Sequence, residues 1–479
     1  MTNSSDEQNQ DWFEQGLLQT NHEITIDQLP VKGRLPDWLQ GTLLRNGPGQ
    51  MNVGDEQFRH WFDGFSMLHK FSFQNGMVSY ANKFLETKAH QTAMEEGRIT
   101  YTDFATDPCR SLFQRAMAVF THEPTDNAKV SIARFAERFI ALSETPIQVE
   151  FDVQTLRSVG VFSYEKDPVG QVTTAHPHFF DDHMYNVVTR FGAVSQYRAY
   201  CVDSQMNRKK LGAVNTDKPA YMHSFAMTEN YVIVTAFPLV VNPLSLLFWL
   251  KPFIENFNWE PNRGTPFYVF NRHTGEFIGK YECEPFFAFH HVNAFERDNE
   301  IVMDIVAYPD ADIITHYYIK RLKEKSLSLP HGTMQRFTLP LNGKRVRSEQ
   351  ISDVCIELPH FDYPNYKTRS DYRYVYGIGL HKARQNGFYN QLVKIDVQTG
   401  NHNLWVQPGA FPGEPIFVPD PNRQAEDDGV LLSVVLDAAQ GNSFLLILDA
   451  QTLQEVARAD LPQPVMFGFH GLYVEDEEV

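Results

Sequence analysis

Short stretches of alternating apolar and polar residues, separated by turn residues, recur along most of this 479-residue chain. One unit consists of residues 68–73, the turn Gln74-Asn-Gly76, and a second alternating stretch over residues 77–84. Alternation with a period of two is typical of a half-buried β-strand, and a short glycine-containing turn between two such stretches indicates a β-hairpin. The pattern therefore predicts antiparallel strands.

The same pattern recurs in four further segments, residues 129–156, 267–283, 390–406 and 445–461. Each contains a hairpin of the type strand, Asp-x-x-Thr-Gly/Leu, strand, with Asn271 in place of the aspartate in one of them. Repeated hairpins without intervening helical periodicity favour repeated antiparallel sheets, as in propeller blades, over β-α-β units. Their spacing is irregular, so no number of blades follows from it.

Two segments depart from this pattern. Residues 107–120 have apolar positions at helical spacing, and residues 237–253 are nearly all apolar but interrupted by Pro243 and Pro252. The second segment is shorter than the ~20 residues of a membrane-spanning helix and is broken by proline. It is either packed in the core or an apolar patch that contacts a membrane or rims the entrance for an apolar substrate.

Composition excludes several classes of protein. With 42 basic and 59 acidic residues the net charge is −17, which disfavours nucleic-acid binding. The four cysteines lie far apart without a Cys-x-x-Cys pair, so neither a disulfide scaffold nor a zinc ribbon is indicated. The polar N-terminus has no signal-peptide pattern. We expect a flexible tail over residues 1–20, one domain over residues 21–479, and a cytoplasmic location.

Candidate chemistry begins with the stretch around His176-Pro177-His178, which β-branched and aromatic residues predict to be a strand. A period of two places both imidazoles on one face, and Pro177, which lacks an N–H, indicates an edge or pore-lining strand. The pair suggests half a metal site, with surface or hydrogen-bonded histidines as the alternative. Gly170 and Asp182 extend a partial match to the first metal motif of cupins, but no second histidine motif follows.

Three further histidines, His223, His290 and His470, also lie in aromatic strand contexts. Four such residues spread through a repeated β chain are the distribution expected if four sheets each send one imidazole to a common axis. Neutral imidazoles suit iron among other transition metals. The sequence lacks a Gly-x-Ser-x-Gly elbow, a Walker A loop, a His-Glu-x-x-His motif and a complete dinucleotide-binding fingerprint.

A set of motifs in this order resembles the carotenoid cleavage oxygenase family over nearly the whole chain. They are Arg45-Asn-Gly-Pro, His60-Trp-Phe-Asp-Gly-Phe, Ala175-His176-Pro, His223-Ser-Phe, Phe289-His290-His-Val-Asn293-Ala, Glu414-Pro-Ile-Phe, Asp427-Asp-Gly-Val and Gly468-Phe-His470-Gly. The resemblance implies a seven-bladed β-propeller with a helix-and-loop dome over an axial Fe(II), one per chain. The implied iron ligands are His176, His223, His290 and His470, with His290 chosen over His291 because it lies three residues before Asn293.

The resemblance also implies three carboxylates behind the ligands, Glu144 with His223, Glu357 with His290, and Glu414 with His470. Such carboxylates accept a hydrogen bond from the outer ring nitrogen and fix the tautomer of a metal-binding histidine. The implied reaction is cleavage of a conjugated C=C bond of a carotenoid or apocarotenoid by O2 into two carbonyl products. It needs no side-chain acid, base or nucleophile.

An apolar polyene requires an aromatic tunnel, for which we expect Phe104, Phe289 and Trp249. Stilbene cleavage and retinoid ester isomerohydrolysis use the same scaffold, and a propeller that binds without catalysis is a further alternative. Stilbene-cleaving relatives carry a lysine directly before the first carboxylate, where this chain has Ser143, so a polyene is favoured. Residues 107–120 and 237–253 are expected to make peripheral membrane contact.

Overall fold

The computed structural model describes residues 11–18, 22–108, 125–162, 170–247, 251–343, 345–382 and 387–475. Within them, seven antiparallel sheets of four to six strands form a seven-bladed β-propeller, as the sequence led us to expect. Two short ribbons accompany the blades, Asn52–Val53 with Glu56–Gln57 and Leu239–Val241 with Phe257–Trp259.

Blades 1 to 3 occupy the N-terminal half. Blade 1 contains Thr25–Ile26, Gly41–Gln50, Phe65–Gln74, Met77–Phe84 and Gly471–Val474. Blade 2 contains Ser131–Phe135, Arg138–Leu142, Gln148–Phe151 and Ser158–Phe162. Blade 3 contains Val172–Thr173, His178–Phe180, His183–Arg190, Ser195–Val202 and Arg208–Thr216.

Blades 4 to 7 follow in chain order. Blade 4 contains Ala226–Met227, Tyr231–Thr235, Thr265–Asn271 and Phe277–Cys283. Blade 5 contains His291–Arg297, Glu300–Ala307, Thr333–Pro340 and Arg347–Gln350, and blade 6 contains Glu357–His360, Tyr374–Gly379, Gln391–Asp396 and His402–Trp405. Blade 7 contains Val31–Gly33, Ala410–Pro412, Ile416–Pro419, Gly429–Asp437, Asn442–Asp449 and Glu455–Asp460.

The predicted hairpins are confirmed, and their shared turn has a simple cause. In the blade 2 turn, Asp152 Oδ1 accepts the backbone N–H of Thr155 at 2.7 Å, which closes the turn without a strand partner. The next residue must adopt a left-handed conformation, and Leu156 does so with φ 58°. Gly400 occupies the equivalent position in blade 6 with φ 76°, where glycine meets no steric penalty.

The propeller ring is closed by pairing the two ends of the chain. Gly41–Gln50 from the N-terminal region pairs antiparallel with the last strand, Gly471–Val474, inside blade 1. Val31–Gly33 pairs with Glu455–Asp460 inside blade 7. Blades 1 and 7 each combine strands from both ends of the chain. The ring is therefore closed by hydrogen bonds between residues more than 400 positions apart.

Helices are few and lie in the connections. They are Asp11–Phe13 continuing into the π-helix Glu14–Leu18, the α-helices Lys88–Glu96, Pro243–Leu247, Asp312–His316, Ile319–Leu322 and Tyr363–Tyr366, and the 3-10 helices Phe253–Asn256 and Pro261–Arg263. The longest helix of the described residues, Lys88–Glu96, begins where the Thr87 hydroxyl accepts the N–H of His90 and ends at Gly97 with φ 64°. No helix in the described ranges is long and apolar enough to cross a membrane.

Three local expectations differ from the structure or fall outside it. Residues 11–18 belong to the expected flexible tail, yet Trp12 is buried and stacks on Phe411 with ring centroids 5.5 Å apart. An apolar indole is stabilised by the core even at a chain end. The expected strand around His176 is broken between Val172–Thr173 and His178–Phe180. The helix expected over residues 107–120 lies almost entirely outside the described residues.

A close backbone approach joins the ring closure to the last strand. The Asn46 N–H donates to the carbonyl of His470 at 3.0 Å, and the Phe469 N–H donates to the carbonyl of Asn46 at 2.9 Å. A Cβ at Gly47 would lie only 2.4 Å from the Cα of Gly468, so the two segments can meet because Gly47 has no side chain.

Replacing Gly47 by alanine is expected to lower the free energy of unfolding by about 2 kcal/mol or more, because backbone must move to admit the methyl group. Gly279→Ala is the matched control, since a Cβ there meets its nearest atom at 3.4 Å, an ordinary contact. Denaturant unfolding followed by fluorescence measures both. Equal stability of the two variants would contradict the close approach.

Candidate metal centre

Four blade edges bring one histidine each to the same point. His290 and His470 directly precede the edge strands His291–Arg297 of blade 5 and Gly471–Val474 of blade 1. His223 lies three residues before Ala226–Met227 of blade 4, and His176 lies in the break of the blade 3 edge. Each histidine therefore lies just before an edge strand of its sheet.

The four imidazoles form a compact cluster. Their potential ligand atoms all lie within 4.8 Å of one another, with three of the residues buried and His176 partly buried. His176 Nε2 is 3.1 Å from His223 Nε2, and His290 Nε2 is 3.2 Å from His470 Nε2. Burial, followed by the neighbouring imidazoles, holds the pKa of His176 and His470 well below the usual range. These rings are neutral, the form that binds a metal.

Three of the imidazoles are oriented by carboxylates. The Nδ1 donors and carboxylate acceptors are His223 with Glu144 at 2.6 Å, His290 with Glu357 at 2.7 Å, and His470 with Glu414 at 2.7 Å. An ionised carboxylate only accepts, so Nδ1 carries the proton and Nε2 keeps its lone pair. Lone pairs that face each other at these distances repel unless a cation lies between them. The donor set therefore fits a metal ion.

Each carboxylate is fixed by further donors. Glu357 accepts the Tyr308 hydroxyl at 2.9 Å and the backbone N–H of Leu358 at 2.7 Å. Burial opposes ionisation of Glu357, but His290 and these donors outweigh it, so its pKa is lowered. The Tyr221 hydroxyl donates to Glu144 at 2.6 Å.

Glu414 is held by a buried arginine. Arg45 Nη1 donates to Glu414 Oε2 at 2.6 Å, and Arg45 Nη2 donates to the carbonyl of Phe469 at 2.8 Å. Burial raises the pKa of Glu414, while the Arg45 charge acts in the opposite direction. Removing either partner would leave an unpaired buried charge, which costs about 3–5 kcal/mol.

The two histidines next to candidate ligands are engaged elsewhere. His178 Nε2 donates to the carbonyl of Phe225 at 3.1 Å, and the Tyr363 hydroxyl donates to His178 Nδ1 at 2.8 Å. Both ring nitrogens of His291 bond to hydroxyl groups at 2.8 Å. The four-histidine cluster therefore contains His176 but not His178, and His290 but not His291.

A cavity of about 700 Å³ opens onto the cluster. It is lined by His223, His290 and His470 and by aromatic side chains, among them Phe104 and Phe289. These two expected tunnel residues therefore face the same space as the imidazoles. Trp249, the third, lies outside the described residues.

Several residues that line this cavity are not among those predicted from the sequence. Phe62 and Phe469 line the cavity and stand inside motifs that carry the family resemblance, so their positions were a usable signal. Tyr317 and Tyr389 also line it, with their hydroxyls 2.6 Å apart, but no motif marks them. They meet only because blades 5 and 6 are adjacent.

Imidazoles gathered from four blades of a seven-bladed propeller, three of them oriented by carboxylates and open to a cavity with aromatic walls, are the arrangement expected of a metal-dependent enzyme. The family model described as "Retinal pigment epithelial membrane protein" matches residues 17–475. The chain belongs to this family of carotenoid oxygenases.

Named relatives and solved structures agree with that assignment. The chain is 31% identical to the "Carotenoid-cleaving dioxygenase, mitochondrial" of Macaca fascicularis, covering 94% of this chain and 93% of that one. It is 33% identical to the carotenoid isomerooxygenase of Galleria mellonella, covering 93% of each. A Synechocystis apocarotenoid oxygenase variant superposes with a TM-score of 0.87 at 28% identity, covering 98% and 99%. A cobalt-substituted form of that oxygenase gives a TM-score of 0.86 at 28% identity, with the same coverage.

The metal assignment predicts opposite outcomes for two neighbouring histidines. His176→Ala is expected to lose most of the bound metal, because one Nε2 ligand disappears, whereas His178→Ala keeps it, because His178 bonds to Phe225 and Tyr363 instead. Elemental analysis after anaerobic purification measures metal per chain, and circular dichroism checks the fold. Retention by His176→Ala with loss by His178→Ala would overturn the assignment.

Proposed function

We propose that this chain is a non-haem iron(II) oxygenase that splits a conjugated C=C bond of a carotenoid or apocarotenoid with O2. The observation that carries the proposal is the oriented imidazole cluster facing an aromatic cavity of about 700 Å³. The carotenoid-cleaving activity in the names of relatives that align over more than nine-tenths of the chain supports it.

The proposed ligands are His176, His223, His290 and His470, with one Fe(II) per chain. Iron(II) supplies a redox centre at which O2 is activated. Four neutral nitrogen donors would suit a redox-active transition metal and would leave its charge uncompensated by the ligands themselves. The carboxylates of Glu144, Glu357 and Glu414 restore charge balance from one bond further out and keep each imidazole in the ligating tautomer.

The remaining residues position an apolar substrate and exclude water. Phe62 packs against Phe289 with ring centroids 5.4 Å apart and against Phe104 at 5.3 Å, which gives the cavity a rigid aromatic wall beside His223. A polyene held there presents its π system to the metal centre. The addition of both oxygen atoms of O2 across one C=C bond yields two carbonyl groups with no net proton transfer, so no acid or base is required.

Ser143 supports a polyene over a stilbene phenol. It lines the cavity directly before Glu144, and its hydroxyl lies 3.1 Å from the Thr145 hydroxyl. No ammonium group stands at this position to bind a phenol. Isomerohydrolysis of a retinoid ester or binding without turnover, as alternatives, would each leave the polyenes of the test below uncleaved.

Iron-loaded protein incubated separately with β-carotene, a β-apocarotenal and resveratrol is expected to release aldehydes or ketones from the polyenes only. Product masses give the cleaved bond, and incorporation of ¹⁸O₂ identifies the oxygen source. The His176→Ala protein is the matched inactive control. Cleavage of resveratrol alone, or intact substrates with iron bound, would overturn the proposed function.

We also propose that the segment at residues 237–253 docks on a membrane so that an apolar substrate enters the cavity directly. Leu244, on helix Pro243–Leu247, is 61% exposed and also lines the cavity, together with Leu246 and Phe253. An exposed leucine at the mouth of an apolar cavity suits a hydrocarbon interface. The companion segment at residues 107–120 falls mostly outside the described residues, and the cytoplasmic location remains a prediction.

Leu244→Asp is expected to weaken association with phospholipid vesicles by roughly 10-fold, since burying one leucine side chain contributes about 1.5–3 kcal/mol. Val159→Asp is the matched control, because Val159 is 64% exposed on blade 2 and does not line the cavity. Co-sedimentation measures the bound fraction. Equal partitioning of both variants would contradict the docking segment.

A further inference from the structure

One wall of the substrate cavity is charged. Lys129 and Asp103 line it beside Asn127, although Lys129 is only 4% exposed. Lys129 Nζ contacts both carboxylate oxygens of Asp103. Asp103 Oδ1 also accepts the backbone N–H of Phe104 at 2.8 Å. An ion pair in the wall of a largely apolar cavity requires an explanation, because desolvation costs several kcal/mol per ion.

The charged wall is built on the segment that supports the metal centre. Val130, the next residue along the chain, accepts the backbone N–H of His470 at 3.2 Å and donates its own N–H to Leu142 at 2.9 Å. The Thr145 hydroxyl, next to Glu144, donates to the carbonyl of Thr125 at 2.9 Å. The ammonium group is thus anchored to the same framework as the imidazoles.

Holding the adjacent loop in place does not account for the ion pair. Asp63 already fixes that loop, because its Oδ1 accepts the N–H of Ala105 at 2.9 Å and its Oδ2 accepts the hydroxyl of Thr106 at 2.6 Å. The Asp103 N–H also donates to the carbonyl of Thr106 at 2.8 Å. The loop therefore keeps its conformation through bonds that do not involve Lys129.

The ammonium group retains hydrogen-bonding capacity toward the cavity. It carries three N–H donors, and within the described part of the chain its hydrogen bonds go only to the two oxygens of Asp103. An ammonium paired with a carboxylate acts as a donor rather than as a nucleophile. The group best suited to the third N–H is an uncharged oxygen of the substrate.

We propose that Lys129, positioned by Asp103, determines specificity by donating a hydrogen bond to a hydroxyl or carbonyl oxygen of an oxygenated polyene. The cavity then selects oxygenated carotenoids or apocarotenoids over hydrocarbon carotenoids. The inference rests on the proposed function, since it takes a polyene as the ligand of this cavity.

The test compares three polyenes, a hydrocarbon carotenoid, its ring-hydroxylated counterpart and a polyene with a terminal aldehyde. Binding to the iron-loaded protein is measured without O2, by quenching of tryptophan fluorescence, so that no turnover occurs. The wild-type protein is expected to bind at least one oxygenated ligand roughly 10- to 100-fold more tightly than the hydrocarbon, the effect of one hydrogen bond to a charged donor. The hydroxyl and aldehyde arms identify which oxygen is recognised.

Lys129→Met is expected to bring this affinity ratio close to one, and Lys129→Gln, which keeps a neutral donor, to an intermediate value. Asp103→Asn keeps the ammonium group and is expected to retain part of the preference. Lys32→Met is the matched control, because Lys32 pairs with Asp460 at 2.7 Å on the surface with a side chain 70% exposed. The ratio of kcat/KM values, measured with O2, should follow the ratio of affinities.

Equal affinity of the wild-type protein for all three polyenes would overturn the inference. The inference would also be overturned if Lys129→Met lowered the affinity for all three polyenes by the same factor, because that result indicates a purely structural role for the ion pair. Cleavage without preference refutes the inference and leaves the proposed function standing. Preference in anaerobic binding without any cleavage refutes the proposed function and leaves the inference standing.

Discussion

The structure depends on keeping four imidazoles close together, with their potential ligand atoms all within 4.8 Å of one another. Two Nε2 pairs lie 3.1 and 3.2 Å apart, a separation that a protein does not maintain at low energy without a cation or a proton between the nitrogens. Protonation is opposed by burial, which lowers the pKa of His176 and His470. A metal ion would remove the repulsion without adding a proton, and the carboxylates behind three of the rings fit that role.

The strands that close the propeller ring also hold residues of this histidine cluster in place. The strand Gly41–Gln50 pairs with Gly471–Val474 and, through Arg45, also holds Glu414 and the carbonyl of Phe469. One N-terminal strand thus holds the segment of the candidate ligand His470, the carboxylate of Glu414 and the closing blade. The backbone approach between Gly47 and Gly468 leaves no room for a side chain at Gly47, so the segment that closes the ring also positions His470.

The features of the fold that can be predicted from the sequence are those determined by residues close together in the chain. Alternation and the Asp-x-x-Thr turns predict the hairpins, because strand period and turn geometry are set within a few residues. The number of blades and the choice of His290 over His291 came from family resemblance, since neighbouring histidines look alike until their partners are known. The break in the blade 3 edge, the burial of Trp12 and the placement of Lys129 opposite Asp103 depend on contacts between distant segments. No local pattern encodes them.

The measurement closest to the central claim is X-ray absorption at the iron K-edge of anaerobically iron-loaded protein. Iron held by the four histidines is expected to show a nitrogen-dominated first shell, with the multiple scattering of four imidazoles and no protein carboxylate bound to iron. Fewer than three imidazoles, or a carboxylate or sulfur ligand from the chain, would contradict it.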